Sequence, residues 1–159
     1  MTFSLADSEI LLCDTSFVAH SRRRATSPEK YTHWPPAIRA RIDKAILAIS
    51  VITIAEVRYG IKKGGWGEKR SQEEEGRVAA FLQVPLDPKV LTEWADLRCL
   101  TEGAGVALCQ NDLWIAATAK VMDYALVTCD KDLMRIGDLG CLREVIYLPP
   151  EPVVPPSTR

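Results

Sequence analysis

Four carboxylates occupy comparable places in the sequence, each where an apolar stretch gives way to a predicted helix or just inside that helix. They are Asp14, Glu56, Asp112 and Asp130. The carboxyl ends of parallel strands lie at one edge of a sheet, so residues at such junctions can converge although they are distant in sequence. Clustered carboxylates repel one another, and a hard divalent cation removes that penalty. We therefore interpret the four acids as a Mg²⁺ site, which suits phosphoryl chemistry.

Each acid also has an explanation that requires no function. Asp14 is a suitable helix cap, and Glu56 completes a Thr-x-x-Glu capping box that begins at Thr53. Asp112 is well placed for a favourable contact with a helix dipole, and the acids that follow the last long apolar run suit a surface turn. Taken singly, most of these residues are better explained by structure. It is the repetition of the same arrangement four times that favours a site.

Short apolar segments that alternate with helical patterns predict the elements that carry these acids. The predicted strands are Ile10–Cys13, 46–50, a proline-interrupted edge strand at 84–87, 124–128 and 144–148. The predicted helices begin at Thr15, Pro36, Thr53, Glu68, Pro88 and Asn111, and a short helical turn is predicted to end at Met134. The polar, arginine-rich stretch 20–34 is interpreted as an irregular connector. This alternation predicts an α/β fold with a parallel sheet covered on both faces.

Composition excludes several classes of protein. The 159 residues carry a formal net charge of −1, so no global basic signature for nucleic acid exists. We expect one domain over residues 1–148 and a proline-rich tail over 149–159. Five cysteines without Cys-x-x-Cys spacing are interpreted as reduced, mostly buried thiols of a cytoplasmic protein. No apolar segment reaches the length of a membrane helix, so no membrane partner is expected.

Four segments resemble the signature motifs of PIN-domain ribonucleases in order and spacing. They are Asp14-Thr15-Ser16, Ser50-Val51-Ile52-Thr53-Ile54-Ala55-Glu56 with Gly60, Asn111-Asp112-Leu113-Trp114-Ile115-Ala116-Ala117-Thr118-Ala119, and Leu126-Val127-Thr128-Cys129-Asp130-Lys131-Asp132-Leu133. The pattern is most similar to that of the VapC-type toxins of type II toxin–antitoxin systems. This resemblance implies a three-layer α/β/α fold around a five-stranded parallel sheet, with the first strand in the middle.

The resemblance also implies an activity and a site. It implies a metal-dependent endoribonuclease in which Asp14, Glu56, Asp112 and Asp130 are the catalytic residues and hold Mg²⁺ or Mn²⁺. Two hydroxyls are expected to support these acids, and a further acid competes with Asp130 for the fourth position. These supporting residues are Ser16, Thr128 and Asp132.

RNA, a small cognate antitoxin and a second copy of the chain are the partners that the resemblance implies. Seven basic residues near the proposed active edge are candidates for phosphate contacts, namely Arg22, Arg23, Arg24, Lys30, Arg58, Lys62 and Lys63. Trp34 and Trp66, predicted in loops, are candidates for stacking on unpaired bases. The antitoxin groove is expected along residues 54–66, with Phe81 and Leu82.

Two other classes of function remain open on the sequence alone. One is a PIN-fold module that binds RNA or protein without cleaving. The other is a phosphatase or a phosphoryl-receiver domain, since those proteins also place aspartates at strand ends. Ser16 stands where a haloacid dehalogenase phosphatase would require a second aspartate.

Overall fold

The apolar segments form one parallel sheet, as the alternation of strands and helices predicts. The computed structural model describes residues 8–152. Its strands are β1 (Ile10–Cys13), β2 (Ile46–Ser50), β3 (Leu82–Val84), β4 (Ala125–Thr128) and β5 (Val145–Tyr147). The strand order is β3-β2-β1-β4-β5, and every neighbouring pair is parallel. The strand that ends at Asp14 therefore lies in the middle of the sheet, as expected.

Helices connect the strands and cover both faces of the sheet. They are α1 (Thr15–Thr26), α2 (Pro36–Lys44), α3 (Val51–Lys63), α4 (Glu68–Ala79), α5 (Pro88–Gly103), α6 (Gln110–Met122) and α7 (Lys131–Met134), with short 3₁₀ helices at Pro28–Tyr31 and Gly137–Leu139. Because side chains alternate along a strand, β1 directs Leu11 and Cys13 toward one core and Leu12 toward the other. Helices α1 to α4 cover the first core and α5 to α7 the second, which confirms the three-layer arrangement.

The prediction of an irregular connector over residues 20–34 is wrong. Helix α1 continues through the arginine-rich sequence to Thr26, and a 3₁₀ helix follows. Tyr31 and Trp34 then fold back into the core, where the Trp34 side chain is 0% exposed. Trp34 therefore cannot stack on a base. Its indole Nε1 donates to the Pro149 carbonyl at 2.8 Å, which satisfies its only polar group.

Two further boundaries differ from the prediction. Helix α3 begins at Val51 because the Ser50 hydroxyl, rather than Thr53, accepts from a free amide at the first turn. Glu56 is therefore not the last residue of a capping box. The edge strand β3 ends at Val84, just before the proline that interrupts its predicted extent.

One arginine joins the amino ends of two strands. Arg41 of α2 donates to Glu9, which precedes β1, at 2.7 and 2.9 Å, and its Nη1 donates to Glu144, which precedes β5, at 2.7 Å. These hydrogen bonds to Arg41 lower the pKa of both glutamates. The three residues, called here the Arg41 clamp, close the end of the sheet that lies opposite Asp14.

Three remaining expectations meet the structure only in part. All five cysteines are free, but Cys99 and Cys109 are exposed, so the expectation of mostly buried thiols is wrong. Over the described part of the chain, no helix combines the length and the apolar character that crossing a membrane requires. The proposed tail begins with Pro149, which packs against Trp34, and residues 153–159 lie outside the described range.

Candidate active site

Asp14 is a buried carboxylate at the carboxyl end of the central strand. Its side chain caps α1 by accepting from the Phe17 amide at 2.8 Å, and the residue is only 2% exposed. Burial raises the pKa of Asp14 to about 6, although the hydrogen bonds that it accepts oppose the rise. The capping role proposed as an explanation without function is thus real, but it uses only one of the two carboxylate oxygens.

Two hydroxyls hold the rest of the Asp14 carboxylate. Ser16 Oγ donates to Asp14 at 2.8 to 2.9 Å, and Thr128 Oγ1 donates to Asp14 Oδ2 at 2.7 Å. The same hydroxyls accept from the next strand end, Ser16 from the Cys129 amide and Thr128 from the Asp130 amide, each at 2.9 Å. These contacts fasten the end of β1 to the end of β4 and fix the position of Asp14.

Glu56 approaches this edge from α3 and is held by two partners. Thr15 Oγ1 donates to Glu56 Oε2, and Asn111 Nδ2 donates to Glu56 Oε1 at 2.8 Å. Thr15 belongs to α1 and Asn111 to α6, so Glu56 bridges helices from opposite faces of the sheet. These two hydrogen bonds, rather than a helix cap, set the orientation of the Glu56 side chain.

Asp112 lies in the first turn of α6 and is the most central of the four acids electrostatically. Burial raises its pKa, and the charges of Asp130, Glu56 and Asp132 raise it further. The Cys109 thiol, which donates to Asp112 Oδ2 at 3.0 Å, acts in the opposite direction. Asp112 in turn raises the pKa of Asp14. The structure therefore brings the four predicted acids to one edge of the sheet.

Asp130 and Asp132 follow β4, and their positions differ. Asp130 caps α7 by accepting from the Asp132 amide at 2.8 Å, and it is partly buried. Asp132 is exposed in the first turn of α7. Asp130 also has the larger effect of the two on the pKa of Asp112. Asp130 as the fourth acid stays a prediction.

The donor set suits a hard divalent cation. Every candidate ligand is a carboxylate, and Mg²⁺ and Mn²⁺ prefer oxygen ligands. Within residues 8–152, no three His, Cys, Asp or Glu side chains are yet arranged to hold an ion together. The charges of neighbouring acids raise the pKa of Asp112, as expected for carboxylates without a cation between them. A cation bound among the acids would relieve that repulsion.

Three residues with direct contacts to the acids were not among the predicted site residues. They are Thr15, Cys109 and Asn111. Thr15 and Asn111 each adjoin a predicted acid in the sequence, which is the only signal that could have indicated them. Their common partner, Glu56, is more than forty residues from either, so the contacts depend on the tertiary fold.

Three of the seven basic residues predicted to contact phosphates are engaged in ion pairs. Arg22 pairs with Glu74 at 3.6 Å, Arg24 with Asp43 at 3.0 Å, and Arg58 with Glu75 at 2.9 Å. These pairs reduce the number of predicted phosphate contacts that are free to bind RNA. The Lys63 ammonium lies over the Tyr59 ring, and Trp66 lies against the guanidinium groups of Arg22 and Arg70, which leaves less of its ring for a base.

A narrow groove runs beside Glu56 between α1, α3 and α4. It encloses about 190 Å³, and its walls include Val18, Val57, Ile61 and Trp66. This position agrees with the groove expected along residues 54–66. Two other residues expected there do not line it: Phe81 packs against the core, and Leu82 is 43% exposed on the edge strand.

Comparison with known proteins places the chain in a family. Residues 11–139 match the model of the PIN domain. Ribonuclease VapC5 of Mycobacterium tuberculosis is 32% identical over 102 residues, which cover 60% of this chain and 76% of that protein. Ribonuclease VapC2 of Rickettsia felis is 31% identical over 98 residues, which cover 58% of this chain and 70% of that protein.

The fold is also similar to that of solved structures. DNA-bound VapBC from Salmonella typhimurium superposes with a TM-score of 0.69 at 20% identity, over 89% of this chain and 98% of that chain. At this level of identity, the similarity concerns the fold. The match of the family model, the identity with the named ribonucleases and the arrangement of the acids agree: this chain belongs to the PIN-domain family, among the VapC proteins.

Proposed function

We propose that this protein is a divalent-metal-dependent endoribonuclease of VapC type, which cleaves RNA and is neutralised by a cognate antitoxin. The observation that carries the proposal is the set of hydrogen bonds that gathers the acids at the carboxyl edge. The Thr128 hydroxyl contacts both Asp14 and the Asp130 amide, and Asn111, which precedes Asp112, contacts Glu56. The charges of Glu56 and Asp130 also raise the pKa of Asp112, and the charge of Asp112 raises the pKa of Asp14. A protein that held these acids only for stability would be expected to pair them with cations.

Asp14, Glu56, Asp112 and Asp130 would hold Mg²⁺ or Mn²⁺. Such an ion supplies an activated water and stabilises the charge that develops on the phosphate and on the leaving oxygen. The surrounding residues fix the acids before any ion or RNA binds. Ser16 and Thr128 orient Asp14, whereas Asn111 and Thr15 orient Glu56. A fixed acidic set is advantageous because hydrogen bonds that orient the ligands raise metal affinity.

The antitoxin proposal rests on the relatives and on the groove beside Glu56. VapC-type relatives are found in solved VapBC complexes, for example the one from Salmonella typhimurium. In this chain, the groove beside Glu56 has apolar walls and ends at the acidic site. A peptide segment with apolar anchors and a basic side chain would fit both features. A second copy of the chain is a further expected partner, which sedimentation of the purified protein would test.

The test is cleavage of structured RNAs, including tRNA, by the purified chain without a partner. We expect cleavage with Mg²⁺ or Mn²⁺, no cleavage with EDTA, and no cleavage by Asp14→Asn in any metal. Asp96→Asn is the matched control, since Asp96 is an exposed aspartate on α5, distant in sequence from the four acids. Cleavage by Asp14→Asn at the rate of the wild type would contradict the proposal. RNA binding without turnover in any metal would instead favour a non-catalytic PIN module.

A further inference from the structure

A second concave surface lies along α1, apart from the groove beside Glu56. It encloses about 760 Å³, a volume within the range of ligand-binding clefts. His20 and Arg23 line it from α1, and Lys30 and His33 line it from the segment that connects α1 to α2. Residues 150–152 of the tail form its remaining side. We call it the α1–tail cleft.

One face of α1 connects the cleft with the acidic site. Ser16, His20 and Arg23 are spaced by four and three residues, so they share one face of α1, and Ser16 contacts Asp14 directly. Arg23 lies seven residues beyond Ser16, which is about 10 Å along the helix axis. The face of α1 that supports Asp14 therefore continues into the cleft.

A second connection runs through the tail. The Leu148 amide donates to the Thr128 carbonyl at 2.8 Å, and the Thr128 hydroxyl donates to Asp14. The next residue, Pro149, accepts from His33 Nε2 at 2.8 Å, so this ring nitrogen carries its proton. These bonds fix the tail and His33 relative to the end of β4. The wall of the cleft is thus built on the same strand end as the site.

Arg23 and Lys30 of the cleft form no ion pair among the described residues, whereas the arginines on either side of Arg23 do. In the run of three arginines, Arg22 pairs with Glu74 and Arg24 with Asp43. The middle one, Arg23, has no ion pair among the described residues, and the same holds for Lys30. Two unpaired cations on different elements therefore face one cleft, which is an arrangement that suits a phosphate.

The cleft is lined by both basic and acidic side chains. Glu29 and Glu151 also line it, and neither lies within 4.0 Å of Arg23 or Lys30. None of the large apolar side chains that the described structure exposes belongs to this lining. An apolar protein segment would find no anchor there, whereas a polar, anionic strand would find two cations.

We propose that the α1–tail cleft binds single-stranded RNA through a backbone phosphate next to the cleaved bond, with Arg23 and Lys30 as its ligands. The proposal rests on the proposed ribonuclease function and concerns how the same site holds its substrate. The distance along α1 places this phosphate near the scissile one rather than at it. Arg23 and Lys30 therefore act in binding, and the acids act in the chemistry.

The experiment measures binding and turnover separately. Binding of a short fluorescein-labelled single-stranded RNA is measured by anisotropy in EDTA at several salt concentrations. Turnover of the same RNA is measured with Mg²⁺. For the double variant Arg23→Gln/Lys30→Gln, we expect binding weaker by about tenfold and a salt slope smaller by about 0.7 for each phosphate that is no longer neutralised. KM should rise by a similar factor, with kcat unchanged.

Two matched controls keep the test specific. Arg24→Gln removes the same charge as Arg23→Gln but from a side chain paired with Asp43, so it should leave the salt slope unchanged. Glu151→Gln removes a negative charge from the cleft and should strengthen binding. Because Arg23, Lys30 and Glu151 are exposed, none of these changes should alter folding.

The outcomes separate this proposal from the function on which it rests. The proposal is overturned if the double variant binds with the affinity and salt slope of the wild type, or if Arg24→Gln weakens binding equally. It is also overturned if the wild type does not bind the RNA. Weaker binding by the double variant without cleavage by any form would support the cleft and reject the nuclease. Normal binding by the double variant together with active cleavage would reject the cleft and support the nuclease.

Discussion

Acidic side chains cluster at both ends of the parallel sheet, but their pKa values are shifted in opposite directions. At the amino end, Glu9 and Glu144 share Arg41, whose hydrogen bonds lower the pKa of both. At the carboxyl end, burial and neighbouring acids raise the pKa of Asp14 and Asp112. Among the described residues, none of the four predicted site acids forms an ion pair with lysine or arginine.

Neutralisation by a cation distinguishes a structural cluster of acids from a functional one. A neutralised cluster such as the Arg41 clamp stabilises the fold and requires nothing further. A cluster without cations costs folding free energy, and hydroxyl and amide donors only partly offset that cost. A cluster without cations is typical of a site that binds a cation or a substrate. Substitutions at the two ends of the sheet should therefore have different consequences.

Asp112→Asn should have the largest effect on activity. It removes the acid that is coupled to all the others, so metal-dependent cleavage should fall on the order of 10³-fold. The free energy of unfolding in EDTA should not fall, because repulsion is relieved. RNA cleavage assays and urea unfolding measure the two effects. Asp96→Asn should change neither, and a large loss of stability in Asp112→Asn would contradict the contrast.

The raised pKa of Asp14 predicts an unusual dependence of stability on pH. The folded chain holds the Asp14 proton up to a pKa of about 6, whereas the unfolded chain releases it near 3.8. The free energy of unfolding in EDTA should therefore fall as the pH rises from about 4 to 6, by about 1–3 kcal/mol from this residue. Asp14→Asn should reduce that fall, as measured by urea unfolding. An unchanged profile would show that Asp14 ionises normally.

Arg41→Met should give the reverse pattern at the other end. It leaves Glu9 and Glu144 close together without their cation, so we expect a loss of about 1–2 kcal/mol and unchanged RNA cleavage. Thermal unfolding at neutral pH measures the loss. The loss should disappear as the pH falls below about 4.5, because the lowered pKa values stabilise the fold only where the glutamates are ionised. Arg58→Met, which breaks an exposed pair, should cost less.

Asn111→Ala should have a much smaller effect on activity than Asp112→Asn. Its amide orients Glu56, so we expect cleavage to fall by about tenfold and the Mn²⁺ concentration for half-maximal activity to rise. KM for RNA should not change, since the residue acts through Glu56. The neighbouring exposed residue supplies the control, Gln110→Ala. A change in KM alone would indicate that Asn111 contacts RNA instead.

The sequence predicted those features that depend on local pattern. The apolar run Ile10–Cys13 predicted a central buried strand because only such a strand removes the need for polar alternation. The acids could be located because each follows, or lies just inside a helix after, an apolar run that is visible in the sequence. The boundary at Thr53 was wrong because two hydroxyls three residues apart both suit a helix cap, and the chain uses Ser50.

Features that depend on distant contacts could not be predicted. The stretch 20–34 is polar and rich in arginine, so its pattern gave no sign that Tyr31 and Trp34 are core residues. The buried indole of Trp34 has the carbonyl of Pro149 as its partner, more than one hundred residues away. The supporting contacts of Asn111 and Thr15 with Glu56 were hidden for the same physical reason.

The carboxyl edge of the sheet is predicted to bind a divalent cation, and the amino edge is predicted not to bind one. Calorimetric titration of Mn²⁺ into the metal-free chain tests this prediction most directly, with Asp112→Asn and Arg41→Met alongside. We predict saturable binding by the wild type and by Arg41→Met, and binding weaker by at least about tenfold for Asp112→Asn. Binding by Asp112→Asn with the affinity of the wild type, or no binding by the wild type, would contradict the account.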